Sequence, residues 1–162
     1  MAVVVYVDMD GTICDNRWRL VALREGRMSR EQVYSSDTML EDPEIPGAAA
    51  ALRTLIDEGS GVVILTARDS GQRRATSTWL QSHHVPHGNV VTVSSAERKA
   101  PYLFHAADRV NDVLVDDFMG GYDIGIPTFV SHVYEACRKV IPVEVFRNNW
   151  REITDRITGR SR

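Results

Sequence analysis

Apolar residues in this chain fall into short unbroken runs, and between the runs they recur at every third or fourth position. Ala2 to Val7 is the first run, rich in β-branched residues, as a strand buried on both faces of a parallel sheet should be. Val62 to Leu65 follows Gly59-Ser60-Gly61, and Val90 to Val93 and Asp112 to Val115 repeat the pattern. Thr128 to Val130, after Pro127, is a candidate fifth strand. The intervening stretches have helical spacing. Pro46-Gly47 opens one in which Ala48, Ala51, Leu52, Leu55 and Ile56 share a face, with Gly59 as its stop. Asp69 with Gln72 has the form of a capping box for a helix through Leu80, with Ala75, Thr78 and Trp79 inward. Lys99 to Ala107 predicts a shorter helix with Pro101 near its start. Val145 to Ile157 predicts a last, amphipathic one carrying Phe146, Trp150, Ile153 and Ile157. Strands alternating with helices predict an α/β chain, a Rossmann-like parallel sheet flanked by helices.

Cys14 to Met39 breaks the alternation. It has two short helical patterns, no strand pattern, and five arginines, Arg17, Arg19, Arg24, Arg27 and Arg30. Ser29 with Gln32 forms a second candidate capping box. This stretch reads as a small helical flap, at about 14–40, inserted after the first strand of a single domain over 1–162.

Composition narrows the picture without redirecting it. A chain of 162 residues with 43% hydrophobic and 25% charged residues is long enough for one sizeable core and has no disordered bias. A net charge of −3 argues against a generic nucleic-acid-binding surface, while leaving room for a local basic rim. Two cysteines, Cys14 and Cys137, are too few for a disulfide framework and suit a reducing, cytoplasmic setting. The first residues read as a strand rather than a signal peptide, and no apolar run approaches the roughly 18 residues of a membrane span.

The candidate chemistry lies at the strand ends. The first strand runs into Asp8-Met9-Asp10-Gly11-Thr12, two carboxylates at the sheet edge where α/β folds bind ligands. Like charges so close call for a cation, and hard oxygen donors suit Mg²⁺. A polar turn is the bland alternative for this segment taken alone. The second strand delivers Thr66 to the same edge, and the fourth ends in a second acidic pair, Asp116-Asp117. Lys99, with Arg98 as its competitor, stands where a helix begins between those strands and can neutralise phosphate charge. His83-His84-x-x-His87 reads as a solvated helix end rather than a zinc site, and Trp18, Trp79 and Trp150 read as packing residues.

Taken in order, Asp8-x-Asp10-Gly11-Thr12, strand-Thr66, Lys99 and strand-Asp116-Asp117 resemble the four signature motifs of the haloacid dehalogenase superfamily. The resemblance spans Val3 to Asp117 and implies a hydrolase of phosphate monoesters that works through an aspartyl-phosphate. It implies that Asp8 is the nucleophile and Asp10 the general acid and base, with the Asp10 backbone carbonyl on the metal. It implies that Gly11, Thr12, Thr66, Ala67 and Lys99 bind the phosphoryl group. Asp8, Asp10 and Asp116 would hold Mg²⁺, supported by Asp117.

For the substrate, Arg73 to Leu80 with Asp42-Pro43 resembles polynucleotide 3′-phosphatase domains. The stretch from Val7 to Gly11 with Asp15, and Leu114 to Asp117, is similar to 5′(3′)-deoxyribonucleotidases. Both point to a nucleotidase or a phosphatase of polynucleotide ends, with Arg17, Trp18 and Arg68 as a candidate substrate rim. No P-loop sequence is present. A small phosphorylated metabolite as substrate, phosphotransfer as in mutases, and a catalytically silent binding protein of the same fold stay open as alternatives.

Overall fold

The computed structural model describes residues 3–121, 124 and 126–160. Strand β1 is Val4–Val7, β2 Gly61–Thr66, β3 Val90–Thr92 and β4 Val113–Asp116. Each lies within one or two residues of the apolar run that predicted it, although Ala2 falls outside the described residues. A further strand, β7 (Val143–Val145), completes a five-stranded sheet in the order β3-β2-β1-β4-β7, parallel throughout. The α/β class read from the sequence is therefore the one observed.

Two expectations need correction. Thr128 to Val130 is not a strand of the main sheet. Its β6 (Thr128–Phe129) pairs antiparallel with β5 (Met119–Gly120) in a separate ribbon beside the sheet's carboxyl edge. The true fifth strand lies in part of what reads as the start of the last helix. Pro142 and Glu144 disguise it, but both are harmless at an edge: the Pro142 carbonyl accepts from the Leu114 N–H at 3.0 Å, and Glu144 accepts from Arg156 at 3.2 Å. The last helix begins only at Trp150.

Alternation along the strands divides the core in two. Val5, Val7, Ile64, Val113 and Val115 face α4 (Ala48–Asp57), α5 (Arg73–Ser82) and α8 (Trp150–Arg160), where Leu52, Leu55, Trp79 and Ile153 close the layer. Tyr6, Leu65 and Leu114 point the other way, toward Leu103 of α6 (Lys99–Ala106) and Val133 and Cys137 of α7 (Ser131–Arg138). Removing a side chain such as Leu52 or Trp79 from water contributes on the order of 2–3 kcal/mol, so the two layers fix the sheet and with it the strand ends. Within α5 the buried threonine is Thr76, and Thr78, predicted inward, is exposed.

α4 stops where Gly59 stands, at φ +92°, with the Ser60 N–H closing back on the Leu55 carbonyl at 2.9 Å. Between β1 and α4 the chain forms three short helices, α1 (Arg17–Arg24), α2 (Arg30–Val33) and α3 (Ser36–Leu40), where two helical patterns are legible in the sequence. The Ser29–Gln32 capping box opens α2. The Asp69–Gln72 box is also formed, around a single 3₁₀ turn that leads into α5. No helix among the described residues is long and apolar enough to cross a membrane.

Candidate active site

Sheet register brings the chemistry together. Val7 is level with Ile64 of β2 and Val115 of β4. Asp8, one residue on, donates its N–H to the Val115 carbonyl at 2.9 Å and so comes level with Asp116. The chain then turns at once, the Met9 carbonyl accepting from the N–H groups of Thr12, Ile13 and Cys14 at 3.3, 2.9 and 3.1 Å. Gly11 makes the turn possible twice over. Its φ is +81°, and a Cβ there would lie 2.1 Å from Asp117 Oδ2. Gly11→Ala is expected to cost roughly 2 kcal/mol or more, because both backbone strain and the displaced Asp117 must be absorbed. Thermal unfolding checks this, and a variant as stable as the parent would refute it.

Asp8, Asp116 and Asp117 are all buried, and one carboxylate oxygen from each lies within 4.8 Å of the others. Lys99, also buried, donates to Asp8 Oδ1 and Asp116 Oδ2, both at 2.6 Å. Arg98, its sequence competitor, is exposed. The Phe118 N–H holds Asp116 Oδ1 at 2.7 Å and the Met119 N–H holds Asp117 Oδ1 at 3.0 Å. One ammonium cannot balance three carboxylates. Burial pushes the Asp8 carboxyl up, and the charge on Asp116 adds to this while Lys99 opposes it. Asp117 is pushed up in the same way, by burial and then by Asp8 and Asp116. A divalent cation would relieve this excess of negative charge, and a cluster of oxygen donors alone fits Mg²⁺.

The Asp10 carboxylate belongs to a second cluster. Arg68 grips it bidentately, Nε to Oδ2 and Nη2 to Oδ1, each at 2.8 Å, and Arg19 Nη2 adds a third contact at 2.8 Å. Arg19 is in turn held by Asp42, Nε to Oδ1 and Nη2 to Oδ2, each at 2.9 Å. Trp18 Nε1 donates to the same Asp42 oxygen at 2.9 Å. Burial by itself would raise the Asp10 carboxyl, but Arg68 and then Arg19 outweigh it and hold it well below the usual carboxylate range. Asp10 is therefore ionised here, and its carboxylate is engaged by guanidiniums rather than by the acidic cluster around Asp8.

A cavity of about 770 Å³ opens above these groups, lined among others by Asp8, Asp10, Thr66, Ala67, Lys99 and Asp116. Gly11 and Asp117 instead line a neighbouring cavity of about 240 Å³. Thr12 is fully buried beneath both, its hydroxyl donating to Asp8 Oδ2 at 3.4 Å and accepting from the Asp117 N–H at 3.2 Å. That places Thr12 as a brace between two carboxylates rather than in the main cavity. Of the expected rim residues, Arg68 lines the main cavity and Arg17 the smaller one. Arg68 is 5% exposed and spent on Asp10. Trp18 braces Asp42, and exposed Arg17 pairs with Asp15 beside the smaller cavity. The residues that sequence reasoning missed are Arg19 and Asp42, the supports of Asp10. A usable signal was present for Arg68: two residues after Thr66 it shares that residue's side of the chain, as Asp10 does with Asp8. His83 stacks on Trp79, ring centroids 3.9 Å apart, and bonds to its carbonyl.

No protein-family model matches the chain, and no curated protein sequence matches it. Solved structures do. A chain in the Pnkp1/Rnl/Hen1 complex is similar with a TM-score of 0.61 and 18% identity over 90% of this chain. This chain spans 46% of that one's length. A hydrolase from Streptococcus pneumoniae TIGR4 is similar with a TM-score of 0.58 and 14% identity, over 95% of this chain and 98% of that one. D,D-heptose 1,7-bisphosphate phosphatase from Burkholderia thailandensis is similar with a TM-score of 0.50 and 15% identity, over 94% and 96%. At these identities the likeness is one of architecture: the chain shares the α/β fold of these structures, a parallel sheet flanked by helices, with its acidic cluster at the carboxyl edge of the sheet.

Proposed function

We propose that this chain is a magnesium-dependent phosphomonoesterase acting on nucleotide-like esters, mononucleotides or polynucleotide ends, through a phosphoryl group carried on Asp8. The observation that carries the reading is the excess of negative charge around Asp8. Three buried carboxylates and a single lysine, with Asp8, Asp116 and Lys99 lining a substrate-sized cavity and Asp117 beside them, suit a site whose cation and phosphoryl ligand arrive together. The fold supports it, since solved structures of the same architecture include a hydrolase and a phosphatase. The resemblance of Arg73 to Leu80 with Asp42-Pro43 to polynucleotide 3′-phosphatase domains supports the nucleotide preference.

In this reading Thr66, the Ala67 backbone and Lys99 hold the non-bridging oxygens of the substrate phosphate. Asp8 forms a bond to phosphorus as the ester P–O bond breaks, and the departing oxygen takes a proton that the ionised Asp10 carboxylate has first accepted from the phosphate monoanion of the substrate. Water then attacks phosphorus, gives a proton back to Asp10 and frees Asp8 with release of inorganic phosphate. Arg68 and Arg19 hold the Asp10 carboxylate in place and favour the ionised form that accepts this proton. Asp8, Asp116 and Asp117, with the Asp10 backbone carbonyl, would hold Mg²⁺, which supplies charge neutralisation at the phosphoryl oxygens.

Release of inorganic phosphate from an aryl phosphate is expected with Mg²⁺, to be lost on chelation and to return when Mg²⁺ is restored. Turnover that survives exhaustive chelation would refute the metal assignment. A panel of nucleoside 5′- and 3′-monophosphates, 3′-phosphorylated oligonucleotides and sugar phosphates then tests the substrate class. Activity confined to sugar phosphates would replace the nucleotide preference.

A further inference from the structure

Four cationic side chains line the main cavity, and their charges are not equally spent. Arg19 is committed to Asp10 and Asp42, Arg68 to Asp10, and Lys99 to Asp8 and Asp116. All three are buried. Arg30 differs. It is exposed, and among the described residues its guanidinium has no hydrogen-bond or ion-pair partner.

Its place is nonetheless built. The Ser29–Gln32 capping box opens α2 at Arg30, the Ser29 N–H donating to Gln32 Oε1 at 2.8 Å. The other end of the helix is tied down twice. Arg19 Nη1 donates to the Val33 carbonyl at 3.2 Å, and Gln72 Nε2 donates to the Tyr34 carbonyl at 3.1 Å. The wall that carries Arg30 thus hangs on the same arginine that holds Asp10. Other parts of the cavity lining have the opposite sign, from Asp69 and Glu97. Among the described lining residues, a second anion entering the cavity has one free cation to meet.

We infer that Arg30 reads a second phosphate on the substrate, a phosphodiester or phosphomonoester next to the one that is hydrolysed. This rests on the phosphatase reading above and narrows its substrate class. The buried cations are held by carboxylates the chemistry needs, so they have little charge left for a group remote from the reacting phosphorus. A cavity of about 770 Å³ has room for far more than one phosphoryl group. An arginine presents a planar fork of donors that matches phosphate oxygens in pairs. Being exposed, its attraction is screened by salt, which the buried pairs largely escape.

The test uses the full chain and substrates that share one terminal phosphate, at the ester position the panel above selects. They are a nucleoside monophosphate, the matching nucleoside bisphosphate, and a dinucleotide with that terminal phosphate. The parent protein is expected to favour a two-phosphate substrate over the monophosphate by on the order of tenfold in kcat/KM, through KM, and high salt is expected to shrink the preference. Arg30→Ala should reduce it below about threefold, with Arg30→Lys retaining part, since the charge remains and the fork is lost. Whether the bisphosphate or the dinucleotide gains more separates a small bisphosphate from a polynucleotide end. A parent without the preference, or a preference that survives Arg30→Ala, overturns the inference. Failure to release phosphate from any substrate would instead sink the phosphatase reading. Equilibrium binding of the dinucleotide still decides the role of Arg30 in that event, because equal affinities for parent and Arg30→Ala overturn it.

Discussion

Asp8→Asn is expected to abolish phosphate release, by roughly 10⁴-fold or more, an increase of at least about 5.5 kcal/mol in the barrier. The substitution changes one carboxylate oxygen to an amide nitrogen and little else in shape. An amide is a very poor nucleophile toward phosphorus, so the covalent route closes. Stability should move the other way. Asp8 is buried beside Asp116 and Asp117, and burial together with the charge on Asp116 disfavours its ionised form more than Lys99 favours it. Removing one negative charge relieves that repulsion, while Lys99 keeps Asp116 as a partner at 2.6 Å. In metal-free buffer the thermal midpoint of Asp8→Asn should therefore equal or exceed that of the parent. Measuring turnover and unfolding on the same preparation separates lost chemistry from lost structure. A variant that still turns over at a tenth of the parental rate would remove Asp8 from the nucleophile's role.

Asp42→Ala should be the most damaging change to the fold outside the apolar core, costing about 3–5 kcal/mol of stability. The carboxylate is 1% exposed and accepts from the Arg19 guanidinium at two points and from the Trp18 indole. Without it Arg19, equally buried, keeps only Asp10 Oδ1 and the Val33 carbonyl. An uncompensated buried guanidinium must then draw in water or shift toward Asp10. Either response moves the carboxylate proposed to pass the proton, so activity at a temperature where the variant is still folded should also fall. Chemical denaturation gives the stability change, and a loss below about 1 kcal/mol would mean that Arg19 finds solvent without difficulty. Asp42→Asn keeps the acceptor for Trp18 and should recover part of the loss.

How far these residues were legible in the sequence depends on how local their environment is. β1 could be read because a strand buried on both faces needs an unbroken apolar run, and Val4–Val7 is one. The acidic pairs at Asp8-x-Asp10 and Asp116-Asp117 could be read because each follows directly on such a run. β7 could not, since it is three residues long, contains Glu144 and follows Pro142, and its strand character comes from pairing with β4. Thr128–Phe129 was recognisable as a strand but not assignable to a sheet, because pairing with Met119–Gly120 depends on where the chain turns back. Arg68 reads as a surface arginine by composition alone. Its burial follows from Asp10, which lies 58 positions away in the chain.

Local pattern by itself thus determined the order and kind of most elements, the α/β class, and the delivery of Asp8, Thr66 and Asp116 to one sheet edge. Strand period and strand ends are properties of neighbouring residues, and the parallel register aligns those ends wherever such strands pair. Only the tertiary structure decided how the charges are shared: Lys99 between Asp8 and Asp116, Arg68 and Arg19 on Asp10, and Arg30 without a partner among the described residues. Coulomb interaction and desolvation depend on distance and burial, and neither is set by separation along the chain.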